Sequence, residues 1–172
     1  STLFADRVSR IGTEEAFALG ALICDVEAEG ERVIRCNLGQ PDFPLPKHIV
    51  EAVKRALDKG MTTYCDPQGL LELRQAVARS VGRRHELDID PERVVVYPGG
   101  RPAIGFAHMA YSEAGEEVIY PSPGYPLFES FIPYFRCIPV PVVLREENGF
   151  GVTRRELEPV LSQRTGLIFL NF

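Results

Sequence analysis

The sequence predicts an α/β fold in which a mainly parallel sheet is flanked by helices. Three observations carry this expectation. Val94–Tyr97, Val118–Tyr120 and Leu167–Leu170 are short apolar runs with the composition of buried strands. Between the first two lies a helical run through Met109, opened by Gly99-Gly100-Arg101-Pro102. A strand, helix, strand order with two short apolar strands indicates a right-handed parallel crossover.

Composition narrows the classes of function. A chain of 172 residues with 45% apolar and 25% charged residues is an ordinary globular chain that can bury one core. The net charge of −5 and the isolated pairs Arg83-Arg84 and Arg154-Arg155 argue against nucleic acid as a partner. Cys24, Cys36, Cys65 and Cys137 form no C-x-x-C, so zinc and dithiol redox chemistry are not indicated, and reduced cytosolic thiols are expected. His48, His85 and His108 have no metal-ligand spacing and read as surface or packing residues, so no metal is expected. No apolar run reaches the roughly 18 residues of a membrane span, and no secretory signal is legible; the expected location is cytoplasmic.

Residues 1–12 read as an arm that is disordered alone or packs on something else. Thr13 can cap a helix running to about Glu29, with Gly30 as its stop. Val33–Leu38 reads as a short strand entering Gly39-Gln40-Pro41-Asp42-Phe43-Pro44-Leu45-Pro46, where the prolines fix an extended path. The i, i+3, i+4 pattern of Ile49, Val50, Val53, Ala56 and Leu57 predicts a helix over 47–59. After a loop holding Tyr64, a helix over about 70–84 is expected to bury Leu70, Leu73, Val77 and Val81. Residues 127–135 can form a helix. Ile138–Val143 is β-type, but its prolines confine it to an edge or a bulge. Thr153 and Glu156 form a capping-box pattern. Glu116-Glu117 and Glu146-Glu147 read as solvated turns.

The stretch 94–128 carries the chemistry. Gly99-Gly100 lets backbone approach an anion, a helix N-terminus offers unpaired N–H groups, and Arg101 can add a charged fork to phosphate. An ordinary strand-to-helix turn is the competing reading. The Walker pattern fails because Phe106-Ala107 follow Gly105, and G-x-G-x-x-G is absent, so one phosphate fits better than a nucleotide. Tyr125, in Pro121-Ser122-Pro123-Gly124-Tyr125-Pro126, is either a stacking platform for a flat ring or a packed core residue.

Taken together, Asn37-Leu38-Gly39-Gln40-Pro41-Asp42-Phe43, Tyr64 with Gly69-Leu70-Leu71-Glu72-Leu73-Arg74, Val94–Gly100 and Pro121–Pro126 resemble the class I/II aminotransferases. These are pyridoxal-phosphate enzymes of the aspartate aminotransferase superfamily, fold type I. The resemblance implies the first part of that fold's three-layer large domain (residues 47–172), preceded by an N-terminal arm and small-domain segment (residues 1–46). It implies that Gly100 and Arg101 hold the cofactor phosphate and that Tyr125 stacks on the pyridine. Tyr64 would reach the phosphate of the neighbouring subunit in a homodimer with shared active sites, and Gly39 would meet the substrate carboxylate. Arg101-Pro102 departs from the commoner small-or-lysine then glutamine pattern.

The family's Schiff-base lysine has no match here. Lys47, Lys54 and Lys59 lie on one amphipathic helix with an exposed pattern. The resemblance therefore implies an N-terminal fragment, inactive alone, of an enzyme that moves an amino group from an amino acid to a 2-oxo acid. A β-lyase, a decarboxylase, a cyclopropane-forming synthase and an inert dimerising piece are the alternatives.

Overall fold

A computed structural model describes residues 3–12 and 15–171. The chain packs as two compact units, one of Ser1–Leu38 with Arg101–Phe172 and the other of Gly39–Gly100.

The first unit contains α1 (Glu15–Ala28), α4 (Arg101–Tyr111), β1 (Glu117–Ser122), α5 (Pro126–Tyr134), β2 (Ile138–Val143), α6 (Arg154–Leu157) and β3 (Thr165–Ile168). The second contains α2 (Lys47–Asp58) and α3 (Leu71–His85). The Thr13 cap expected for α1 lies outside the described residues.

The sheet is parallel, in the order β2-β1-β3. β1 is central, with Val118, Ile119 and Tyr120 all buried. Pro139 and Pro141 sit opposite Val118 and Tyr120 on the edge strand β2, where a missing N–H is tolerated. Val118, Tyr120, Phe128, Ile132 and Cys137 form the core, with Ile104, Tyr125, Phe135, Leu167 and Phe169 packed on it. β3 begins two residues earlier than expected. It is an edge strand and alternates half-buried with exposed positions, so it is not the fully buried strand that Leu167–Leu170 suggested.

The parallel strand, helix, strand unit exists one step later in the chain than expected. It is β1–α5–β2. Residues 94–97 are extended but form no strand, and 33–38 are irregular. A strand exists only through its ladder, and β-branched composition supplies no partner. Val96 N–H reaches only the Gln68 carbonyl, at 2.8 Å. Ile34 is exposed.

The arm packs on α5. Its 3-10 turn Asp6–Arg10 lays Arg10 Nε 3.0 Å from the Pro133 carbonyl and the Arg7 guanidinium 5.8 Å from the Tyr134 ring centroid. Glu117 is buried rather than solvated. It accepts from Ser162 Oγ at 2.6 Å and Arg164 Nη2 at 2.5 Å, tying the start of β1 to the entry of β3. The Ser162 hydroxyl, and then Arg164, hold its carboxyl below the usual carboxylate range.

In the second unit, α3 is rotated from the expected face. Leu70, Leu73 and Val81 are exposed and Val77 is half-buried, while Arg74, Ala78 and Gly82 are buried. Small size decides this at Ala78 and Gly82. A Cβ at Gly82 would lie 2.6 Å from the Leu87 carbonyl oxygen, so only glycine lets the chain fold back there. The Arg74 side chain fills the other end of that face. Its Nε donates to the Gly69 carbonyl (3.1 Å), and its Nη1 to the Pro91 carbonyl (3.2 Å) and Glu92 Oε1 (3.1 Å).

Candidate active site

The loop beyond the carboxyl end of β1 is built to aim one ring. Gly124 crosses the Pro121 carbonyl so closely that a Cβ would collide with it. Pro126 then starts α5 at its first turn, where proline fits. Tyr125 sits between them, half-buried, its ring edge-on to Phe128 with centroids 5.8 Å apart. Phe128 stacks on Phe169 at 4.7 Å, just past β3. The other end of Tyr125 is fixed by charge. Arg101 Nε, at the first position of α4, donates to the Tyr125 hydroxyl at 2.9 Å.

Arg101 and Tyr125 are thus brought together, one at a helix N-terminus and the other at a strand's carboxyl end. Such a place suits an anionic ligand carrying a flat ring. Gly99 and Gly100 immediately precede Arg101 in the chain. Gly99 has φ +91°, which glycine adopts without strain, and at both positions a Cβ would meet no atom within 4 Å. The turn therefore presents bare backbone to open space.

The remaining expected residues lie in the second unit. Tyr64 is fully exposed in the loop between α2 and α3. Gly39 is exposed and irregular, with open space where a Cβ would be. Lys47 and Lys54 lie on α2 and Lys59 at its end, all exposed. Among the described residues no group of three His, Cys, Asp or Glu could hold a metal, and no helix is long and apolar enough to cross a membrane.

Residues 31–171 match the family described as Aminotransferase class I and II. The chain belongs to that family. This aminotransferase-family chain is 32% identical over 167 residues to a probable aspartate/prephenate aminotransferase of Aquifex aeolicus, covering 97% of this chain and 42% of that protein. It is 35% identical over 168 residues to an aspartate aminotransferase of Thermotoga maritima, covering 96% of this chain and 44% of that protein. Its fold matches the Thermus thermophilus aspartate aminotransferase solved with maleate, with a TM-score of 0.89 at 28% identity, over 98% of this chain and 44% of that one. The chain spans less than half the length of these relatives.

Pyridoxal phosphate is the cofactor of this family, and the residues present fit it. The open glycine turn and the helix-starting arginine suit a phosphate, and the half-buried tyrosine ring suits a pyridine face. Sequence reasoning identified these residues singly but missed the Arg101–Tyr125 hydrogen bond, because 24 positions separate the two. It also missed Arg74. The available signal was a charged residue at i, i+4, i+8 with Ala78 and Gly82.

Proposed function

We propose that residues 1–172 form the cofactor-holding portion of a pyridoxal-phosphate-dependent aminotransferase. The enzyme moves an amino group between an amino acid and a 2-oxo acid, as a homodimer with shared active sites. Residues 1–46 are its N-terminal arm and small-domain segment, and 47–172 the first half of its cofactor-binding large domain. The Arg101–Tyr125 hydrogen bond carries this reading, because it fixes a phosphate-type cation and a ring-stacking aromatic at one place. The relatives described above are aminotransferases, which favours amino transfer over other reactions of the fold.

Bound pyridoxal phosphate supplies an aldehyde that takes up the amino group and a ring that accepts electrons. The chain's residues bind and orient. Gly100 offers backbone N–H, and Arg101 offers its guanidinium to the phosphate oxygens. Tyr125 presents its ring face to the pyridine while its hydroxyl, held by Arg101, fixes the ring's rotation. Gly39 offers backbone to the substrate carboxylate, and Tyr64 reaches the phosphate bound by the partner subunit. Lys47, Lys54 and Lys59 take no part, so the lysine that bonds the cofactor lies outside residues 1–172. A cytoplasmic location belongs to the same proposal and fits the exposed free thiols of Cys24, Cys36 and Cys65.

The test uses the full-length enzyme carrying these residues, loaded with cofactor. Adding an amino acid should convert the cofactor's aldehyde-form absorbance to the pyridoxamine form, and a 2-oxo acid should restore it. Release of carbon dioxide or ammonia without that cycle would refute amino transfer.

A further inference from the structure

Arg74 is the one arginine among the described residues that is almost wholly buried, at 4% exposed. Burying a guanidinium is costly unless opposite charge and hydrogen bonds offset the loss of water. Here the fork is spread over two backbone carbonyls and two carboxylates, on two separate segments of the chain. Nε holds the Gly69 carbonyl, and Nη1 holds the Pro91 carbonyl with Glu92 Oε1. Nη2 lies 3.8 Å from Asp66 Oδ2, an ion pair rather than a hydrogen bond. A lysine, a single point of charge, cannot reach these directions together.

The piece held this way is the end of the Tyr64 loop. Asp66 itself braces the loop, its Oδ1 accepting from Gln68 N–H at 2.8 Å and its carbonyl from Gly69 N–H at 2.8 Å. The same loop is stitched to the segment that leads into the glycine turn. The Gln68 carbonyl accepts from Val96 N–H at 2.8 Å, and Gln68 Nε2 donates to the Glu92 carbonyl at 3.2 Å. Gly69, at φ +104°, lies so close that a Cβ would come 2.8 Å from Val96 Cβ. Tyr64 stands five residues before Gly69, and Gly99 three residues after Val96. A shift of the Gly69 backbone therefore moves against Val96.

We propose that Arg74 is a positioning residue, which sets the Tyr64 loop against the segment entering Gly99-Gly100 and so tunes how tightly the cofactor phosphate is held. The inference rests on the phosphate roles proposed for Tyr64 and Gly100. Arg74 touches neither cofactor nor substrate; it acts through the loop.

The experiment is a pyridoxal-phosphate titration of the full-length apoenzyme, for wild type, R74Q, R74K, Y64F and R74Q combined with Y64F. R74Q should weaken cofactor binding about tenfold, the usual scale for groups that orient a contact residue. R74K should recover little of it. The double variant should bind about as weakly as the weaker single variant, because Y64F has already removed the contact that Arg74 positions. A purely structural arginine would lower thermal stability and leave the two effects on binding to multiply, which overturns the proposal. Should R74Q not fold, the same comparison is made between R74K and R74K with Y64F. Wild-type protein that takes up no cofactor would remove the functional reading and this inference together. Wild-type binding matched by R74Q and R74K would remove this inference alone.

Discussion

At the scale of single residues, two side chains carry most of the account. The Tyr125 hydroxyl links ring to cation, so ring and hydroxyl can be separated experimentally. Tyr125→Phe keeps the platform and frees Arg101 from its anchor. It should weaken cofactor binding about fivefold, the worth of one hydrogen bond of roughly 1 kcal/mol. Tyr125→Ala should weaken it further. Apoenzyme titration checks the order, and equal binding by the Phe and Ala variants would contradict a stacking role. His108 is the second. Its ring is fully buried, stacked on Phe135 at 5.2 Å and tilted against Phe169 at 5.2 Å. Ser112 Oγ donates to the His108 carbonyl at 2.9 Å and lies 3.3 Å from Nδ1, which assigns the ring proton to Nδ1. Nε2 then holds only a lone pair, and it is the buried side-chain atom left without a partner among the described residues. Burial pushes this histidine below its ordinary value of 6.5. The unfolded chain therefore binds its proton first, and stability falls as pH drops below about 6.5. Unfolding midpoints of the full-length protein should decline between pH 7 and 5, and His108→Leu should flatten that decline. Glu117 acts lower. Its depressed carboxyl contributes stability that is lost only as pH falls below its ordinary 4.5. The burial of Glu117 was not legible, and that of His108 was one of two readings left open, because sequence shows charge and spacing but not the Ser162 or Phe135 that arrive from elsewhere.

At the scale of elements, helices were legible and strands only in part: β1 covers the expected 118–120, β2 is the expected edge segment 138–143, and β3 overlaps 167–170. The period of α2 and the Pro126 start of α5 are local signals, and both helices formed within a residue or two of expectation. The Thr153–Glu156 capping box is also local, and it is present. Strands 33–38 and 94–97 failed because pairing is non-local. α3 formed within a residue of expectation, but on another face. Two stripes competed, and the one carrying Ala78 and Gly82 was buried because small residues let the chain come close. Gly82→Ala should therefore destabilise the protein by about 1–3 kcal/mol through overpacking. Denaturant melts of the full-length protein check this, and an unchanged midpoint would contradict the close approach at Gly82.

At the scale of the whole molecule, the surface is the informative quantity. Within the second unit the apolar stripe of α2 is uncovered, with Ile49, Val53 and Leu57 all exposed. That stripe accords with the proposal that further chain and a second subunit cover it. Expressed alone, residues 1–172 should bind a hydrophobic dye and melt broadly; a sharp two-state transition would contradict this. The family was legible in the sequence because its loops are contiguous in the chain. The lack of a match to the family's lysine was legible in the same way, and the place of that lysine outside residues 1–172 belongs to the proposal.

The claim at the centre is that this chain holds the cofactor without bonding to it. The direct measurement is borohydride fixation of cofactor-loaded full-length enzyme, followed by peptide mapping. The account predicts one stoichiometric pyridoxyl-lysine outside residues 1–172 and none at Lys47, Lys54 or Lys59. A stoichiometric adduct on any of those three lysines would contradict it.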